Sequence, residues 1–241
     1  MTSEFERHIP CEECGSSDGN SLYTDGHTFC FVCHTWKGGD GNVHNHKTTY
    51  VHKMEPRGFP GRLSKRGISE KVCEEYGIHK DGDKLCFHYR DSSGRVIGIK
   101  TKTKDKQFRY EGETDGCFFG QHLFRKAGKQ VVITEGELDA ATCREALPSW
   151  EMVSLPNGAA AAKKSIQKNL EWLQNWQNVV LLFDGDEAGR KAAQEAASVL
   201  PPGRVKIADL KGYKDPSEAC QDNNLQACLL YTSDAADDNT C

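Results

Sequence analysis

The chain has 241 residues, 37% hydrophobic and 27% charged, which suits one or two domains with a real core and excludes a disordered tail protein. No apolar run approaches the roughly 18 residues of a membrane span, and MTSEFERHIPCEEC opens without a signal-peptide core, so a cytoplasmic protein with no membrane attachment is expected. Eleven cysteines, an odd count without a secretory signal, point to thiols or metal ligands rather than a disulfide frame, and a net charge of −4 gives the chain no overall affinity for polyanions.

Residues 8–36 read as a compact, turn-rich unit. Cys11-x2-Cys14, fifteen residues, then Cys30-x2-Cys33 is the spacing of two knuckles closing on one tetrahedral zinc. A unit this short needs the metal in order to fold. Two disulfides, or a haem attachment spelled by Cys30-Phe-Val-Cys33-His34, are the competing readings. Between the knuckles, Asp25-Gly26-His27 sits beside Tyr23 and Phe29. Carboxylate and imidazole can hydrogen-bond an unstacked base while the aromatics stack on it, although a surface role for His27 reads equally well.

Residues 37–61 are rich in Gly, Asn, His and Thr without hydrophobic periodicity, and read as a flexible linker. Next, LSKRGISEKVCEEYGI carries Ser69 as a cap before a short helix and a glycine stop after it. KLCFHYRD and RVIGIKTKT, separated by Ser-Ser-Gly, read as a hairpin. From Arg95 to Arg109 six bases stand against Asp105 alone, a stripe that can follow phosphates or simply solvate a strand edge.

From Gln130 the pattern alternates: strand QVVIT, helix LDAATCREAL, strand MVSL, a helix from Lys163 to about Trp176, strand NVVLLF, a helix from Glu187 to Leu200, and strand RVKIADL. Such alternation implies βαβ units and a parallel α/β sheet, whose ligands gather at the carboxyl ends of the strands. Glu135, Asp184, Asp186 and Asp215 fall at those ends. Clustered carboxylates there are costly without cations, and magnesium, which takes oxygen ligands, is the natural partner; a lone Asp-x-Asp is also a common helix cap. Residues 228–241, CLLYTSDAADDNTC, continue neither the alternation nor a helical face and resemble translated sequencing-adaptor read-through, so the natural sequence is expected to stop near Ala227.

The order of four-cysteine ribbon, basic middle, EGELD and FDGDEAGR, together with HIPCEECGSSDGNSLYTDGHTFCFVC and SLPNGAAAAKK, resembles the primase half of the bifunctional primase-helicases of podoviruses, from about His8 to Cys220. The resemblance implies a zinc ribbon at 8–36, a basic N-terminal part of an RNA polymerase domain at 62–127 and a Toprim-type catalytic part at 128–220, α+β overall. It implies synthesis of RNA primers on single-stranded DNA from ribonucleoside triphosphates, beside a replicative helicase domain and a DNA polymerase. Carried over by position, Cys11, Cys14, Cys30 and Cys33 would hold one structural zinc, and Asp25 and His27 would read the template. Glu135, Asp184 and Asp215 would hold one or two catalytic magnesium ions, Asp186 and Asp139 would support them, and Lys100 and Lys106 would contact nucleotide phosphates. Pro156-Asn157 and Arg109 depart from the family pattern, and the helicase half is absent from these residues. The rival expectations are a non-catalytic zinc and Toprim DNA-binding scaffold of the recombination type, and a Toprim nuclease.

Overall fold

The computed structural model describes residues 4–32, 35–39, 43–44, 54–124, 127–201, 203–230 and 232–234; of Trp36, Val43, His44, Leu230 and 232–234 only the backbone is described. The chain divides into two compact units, Met1–His52 and Lys53–Cys241.

The first unit is an antiparallel sheet in sequence order, β1 (Phe5–Ile9), β2 (Asn20–Tyr23), β3 (Thr28–Cys30), β4 (Trp36–Lys37) and β5 (Val43–His44). Both cysteine turns hang from it. The first is closed by the Gly15 amide donating to the Cys11 carbonyl at 2.9 Å, with Gly15 at φ 73° where only glycine is unstrained, and the second by Cys30 N–H to Thr35 C=O at 2.9 Å. β5 falls within the stretch read as a linker, most of whose remaining ribbon-side residues lie outside the described ones.

The second unit contains two sheets. One is antiparallel in the order β10-β9-β8-β7-β6: β6 (Phe59–Pro60), β7 (Ile78–Asp81), β8 (Lys84–Arg90), β9 (Val96–Lys102) and β10 (Phe108–Gly112). The hairpin read from the sequence is β8 and β9, extended by a strand at each side. α1 (Glu70–Tyr76) precedes β7; its Ser69 cap accepts from Val72 N–H, and Gly77 ends it in the left-handed region.

The other sheet is the α/β layer, in the order β12-β11-β13-β14-β15: β11 (Gly128–Thr134), β12 (Met152–Ser154), β13 (Trp176–Leu182), β14 (Val205–Ala208) and β15 (Thr232–Asp234). The first four run parallel, and β15 adds antiparallel to β14. Its helices are α2 (Glu137–Ala146), α3 (Ala162–Lys168), α4 (Leu170–Leu173), α5 (Glu187–Ala197), α6 (Pro216–Gln221) and α7 (Leu225–Leu230). Because side chains alternate along a strand, Val131, Ile133, Val179 and Leu181 enter one core with Ile166 and Ala193, while Val132, Val180 and Leu182 enter another with Cys143, Ala219 and Leu225. A sheet covered on both faces has only its strand ends free for ligands. Among the described residues no helix is long and apolar enough to cross a membrane.

Two local expectations are corrected. The helix read from Lys163 to about Trp176 is broken at Asn169, whose side chain turns back to donate to the Ser165 carbonyl, and the next strand begins at Trp176. A helical face also exists where none was read: Leu225, Cys228 and Leu229, at spacings of three and four, are buried on α7.

At the base of the antiparallel sheet, His88 is fully buried, donating from Nδ1 to the Gly77 carbonyl at 2.7 Å and accepting the Arg57 amide on Nε2 at 2.9 Å. The neutral ring satisfies both contacts, whereas a second proton would face an N–H. Burial pushes its pKa down to about 4, with His79, Arg90 and Arg57 adding repulsion. Below the unfolded value near 6.5 the unfolded chain takes up a proton that the folded one refuses. The stabilisation His88 gives is therefore present above that pH and lost towards pH 4, by up to about 3 kcal/mol. We expect the His88 ring to show no titration by NMR above about pH 5, and the stability gap between the native chain and His88→Gln in urea to shrink on going from pH 7 to pH 5.

Candidate functional site

Five strand or helix ends of the α/β layer bring the acids together. Glu135 follows β11 and Asp184 follows β13, and the two are joined by Asp184 N–H donating to Glu135 Oε1 at 2.9 Å. Asp139, one turn into α2, accepts the Ser217 hydroxyl at 2.6 Å and lies 3.7 Å from the Arg66 guanidinium. Asp186 and Asp215 each cap a helix, taking Gly189 N–H at 2.8 Å and Glu218 N–H at 2.9 Å. The glycines of FDGDEAGR serve this approach: a side-chain carbon on Gly189 would collide with the Asp184 carbonyl and press on Glu135 Oε1.

Crowding leaves its mark on the acids. Burial pushes the Asp184 carboxyl up to about 7, with Glu135, Asp139, Asp215 and Asp186 adding repulsion. Burial likewise raises Glu135, against the Asp184 amide that favours its charge, and raises Asp139, against the Ser217 hydroxyl. A cluster so arranged is stabilised by a bound cation, and an all-oxygen donor set fits magnesium rather than a softer metal.

Glu135, Asp139 and Asp184 line a cleft of about 430 Å³ together with Arg66, Lys100, Lys102, Phe108 and Tyr110. The opposite wall is one face of the antiparallel sheet. Register sets it: Phe87, Lys100 and Tyr110 stand in one row across β8, β9 and β10, and Leu85, Lys102 and Phe108 in the next. Asp186 and Asp215 do not line the cleft and act on it through their charge. Lys106 occupies the β9–β10 turn with φ 60° and is exposed outside the cleft. The aromatic pair had no role in the sequence reading, and Lys102 entered it only as one base of the Arg95–Arg109 stripe; the signal for all three was the alternation Phe108-x-Tyr110 facing Lys102 and Lys100 across the hairpin.

Lys100 enters the cleft wall in an unexpected state. Its side chain is 7% exposed, its ammonium lies 2.7 Å from Glu137 Oε1, itself 6% exposed, and donates to the Pro156 carbonyl at 2.9 Å. The same Glu137 oxygen accepts the Tyr89 hydroxyl at 2.7 Å. Lys102 instead lies 5.6 Å from the centre of the Phe108 ring and, among the described residues, makes no ion pair. Burial and the Arg66 charge hold its ammonium below the usual range.

In the ribbon, ligand atoms of Cys11, Cys14 and Cys30 lie within 4.8 Å of one another, Cys14 and Cys30 with Sγ atoms 3.7 Å apart. Bonds of about 2.3 Å at tetrahedral angles put sulfurs about 3.8 Å apart, so the set suits zinc. Cys33 lies outside the described residues. His27 Nδ1 is 2.5 Å from Asp25 Oδ1, and its ring stacks on Tyr23 at 4.2 Å and 9°.

Removing one member of a buried ion pair leaves the other charge uncompensated, which costs about 3–5 kcal/mol. Lys100→Met is expected to lose stability on that scale, and adding Glu137→Gln, which keeps an acceptor for Tyr89, to recover part of it, as read from urea denaturation.

The profile of the family described as "Toprim-like" matches residues 132–220, and that of the "Zinc-binding domain of primase-helicase" matches residues 6–42. A DNA helicase/primase of Enterobacteria phage T3 is 39% identical over 236 residues, 90% of this chain and 41% of the relative, so the chain spans about two fifths of that relative's length. The crystal structure of the primase fragment of the bacteriophage T7 primase-helicase superposes with a TM-score of 0.66 at 38% identity, covering 94% of this chain and 99% of the fragment. The primase domains in a complex of bacteriophage T7 lagging-strand DNA polymerase, two primase subunits, an RNA/DNA hybrid and dTTP superpose at 0.61 and 36% identity, covering 95% of this chain and 99% of that one. With both halves of the fold and nearly all of that fragment matched, the chain belongs to the family of the T7-type phage primases, a zinc ribbon followed by a Toprim domain.

Proposed function

We propose that this chain is a DNA primase, joining ribonucleotides into short RNA primers on a single-stranded DNA template during phage replication in the host cytoplasm. The observation that carries the proposal is the pairing of walls in one cleft of about 430 Å³: crowded carboxylates at the end of a parallel sheet on one side, cations and aromatic rings on the other. Carboxylates serve metal-assisted phosphoryl chemistry, and cations serve the triphosphate.

In the reaction the 3′ hydroxyl of one ribonucleotide forms a bond to the α-phosphate of the next, and pyrophosphate leaves. Glu135, Asp184 and Asp215 would hold magnesium, which when bound supplies charge neutralisation and alignment of the triphosphate. Asp139 and Asp186 shape the negative field, and Arg66 bridges Asp139 to Ser217, fixing α6 beside α2. Lys100 lines the cleft on the wall opposite the acids but is committed to Glu137 and the Pro156 carbonyl, so the phosphate contacts expected of it and of Lys106 are read here as shared with the other cations of that wall. In the ribbon, Cys11, Cys14, Cys30 and Cys33 would hold one structural zinc, and Asp25 and His27, with Tyr23 stacked behind, would read the template start. The T7 relative's complex with a lagging-strand polymerase and an RNA/DNA hybrid supports a DNA polymerase as a partner here too, and the helicase/primase of phage T3 supports a helicase domain.

The test is ribonucleotide incorporation on a panel of short single-stranded DNA templates with magnesium or EDTA. Magnesium-dependent oligoribonucleotides from a subset of templates are expected; cleaved template would indicate a nuclease, and binding without product a scaffold. Asp184→Asn is expected to abolish synthesis and, because it relieves repulsion among buried carboxylates, to raise the melting temperature in EDTA. His27→Ala should lose template preference while extending a supplied dinucleotide, with zinc content unchanged by elemental analysis.

A further inference from the structure

The cleft wall opposite the acids has a composition that phosphate chemistry alone does not require. Phe108 is 43% exposed and Tyr110 48%, both on β10, and alternation puts them on the same face of the sheet. Large exposed aromatics beside charged groups are costly to leave in water and are suited to a flat, apolar-faced ligand. Lys102 stands directly across from Phe108 in the strand register and Lys100 across from Tyr110, with the Lys100 ammonium 4.8 Å from the Phe108 ring centre. Lys100 is already committed to Glu137 and the Pro156 carbonyl. Arg66 bridges Asp139 at 3.7 Å and the Ser217 hydroxyl at 3.0 Å, so Lys102 is the cation of the cleft most able to turn to an anion.

A nucleoside triphosphate supplies both halves of this complement, a π face and a polyanion. Resting on the primase reading above, we infer that Phe108 and Tyr110 form the platform on which the base of the incoming ribonucleoside triphosphate stacks, and that Lys102, rather than Lys100, holds its phosphates. Stacking is indifferent to base identity, since every base presents a π face, so the platform serves affinity and leaves selection to the template. The crowding of Lys102 by Arg66 is relieved by the same polyanion.

The test uses the whole chain and separates nucleotide from template. Nucleotide KM and kcat are measured on one template, affinity for a labelled single strand by anisotropy, and binding of ATP with magnesium directly. Phe108→Leu, which keeps apolar volume and loses the ring, is expected to raise nucleotide KM about tenfold while template affinity stays within about twofold. Phe108→Trp should restore it. Lys102→Met should raise KM similarly and Lys102→Arg should not, and neither change, at an exposed ring and a half-buried lysine, is expected to alter the fold by circular dichroism. An unchanged KM in Phe108→Leu, with the native chain making RNA, overturns the platform. So does a loss that appears in template affinity instead, which would give the rings to the template. If the native chain makes no RNA yet binds ATP with a Phe108-dependent affinity, the platform stands and the primase reading falls.

Discussion

The Lys100–Glu137 pair is the contact on which the arrangement of the cleft depends. Lys100 belongs to the antiparallel sheet and Glu137 to the first turn of α2, the helix that follows the Glu135 corner, so one buried ion pair locks the basic wall against the acidic one. Its geometry meets the condition under which a buried pair persists. The ammonium finds a carbonyl as well as the carboxylate, and the carboxylate finds the Tyr89 hydroxyl as well as the ammonium. Apolar packing surrounds it, since Phe87, Tyr89, Phe119, Leu138 and Ala141 share a core in which residues of both elements are buried.

Against that fixed wall the acids are held in a strained electrostatic state by backbone features that are themselves cheap. Glu135 is oriented by the Asp184 amide, Asp186 and Asp215 by the helices they cap, and Asp139 by Ser217. Every one of these bonds spends only part of a carboxylate's accepting capacity, which leaves lone pairs for a cation. The absence of a side chain at Gly189 lets α5 start close enough for the charges to meet. Repulsion among the acids is thereby kept where a bound cation would release it.

The sequence was informative where a residue's role follows from spacing or from its place at an element end. Two Cys-x2-Cys knuckles led to three sulfurs held at ligand spacing, and the strand-helix alternation led to a parallel sheet with Glu135 and Asp184 at its carboxyl edge. It was uninformative where a role depends on which neighbour a side chain meets. The basic run from Arg95 to Arg109 looks uniform in one dimension, but folding sends Lys100 into a buried pair, Lys102 to the cleft and Lys106 to a turn outside it. Phe108 and Tyr110 were invisible for the same reason, since an aromatic at alternate positions reads as core until its exposure is known. Asn169 interrupts a helical pattern through a side-chain hydrogen bond that periodicity does not register.

The face-by-face register of β9 and β10 also sets what lengths the turn between them can take. Phe108 and Tyr110 point into the cleft because an odd number of residues separates them from one another and the Thr103–Gln107 turn brings Phe108 opposite Lys102. Inserting one residue at the start of β10 would rotate that strand's face, sending both rings to the far side and presenting Arg109 to the cleft. Inserting two would keep the rings inward but slide them along the wall. Homologous chains should therefore vary in the side chains of this turn, where Lys104 and Lys106 are exposed, within what the left-handed backbone at position 106 accepts, while insertions and deletions there are filtered by parity.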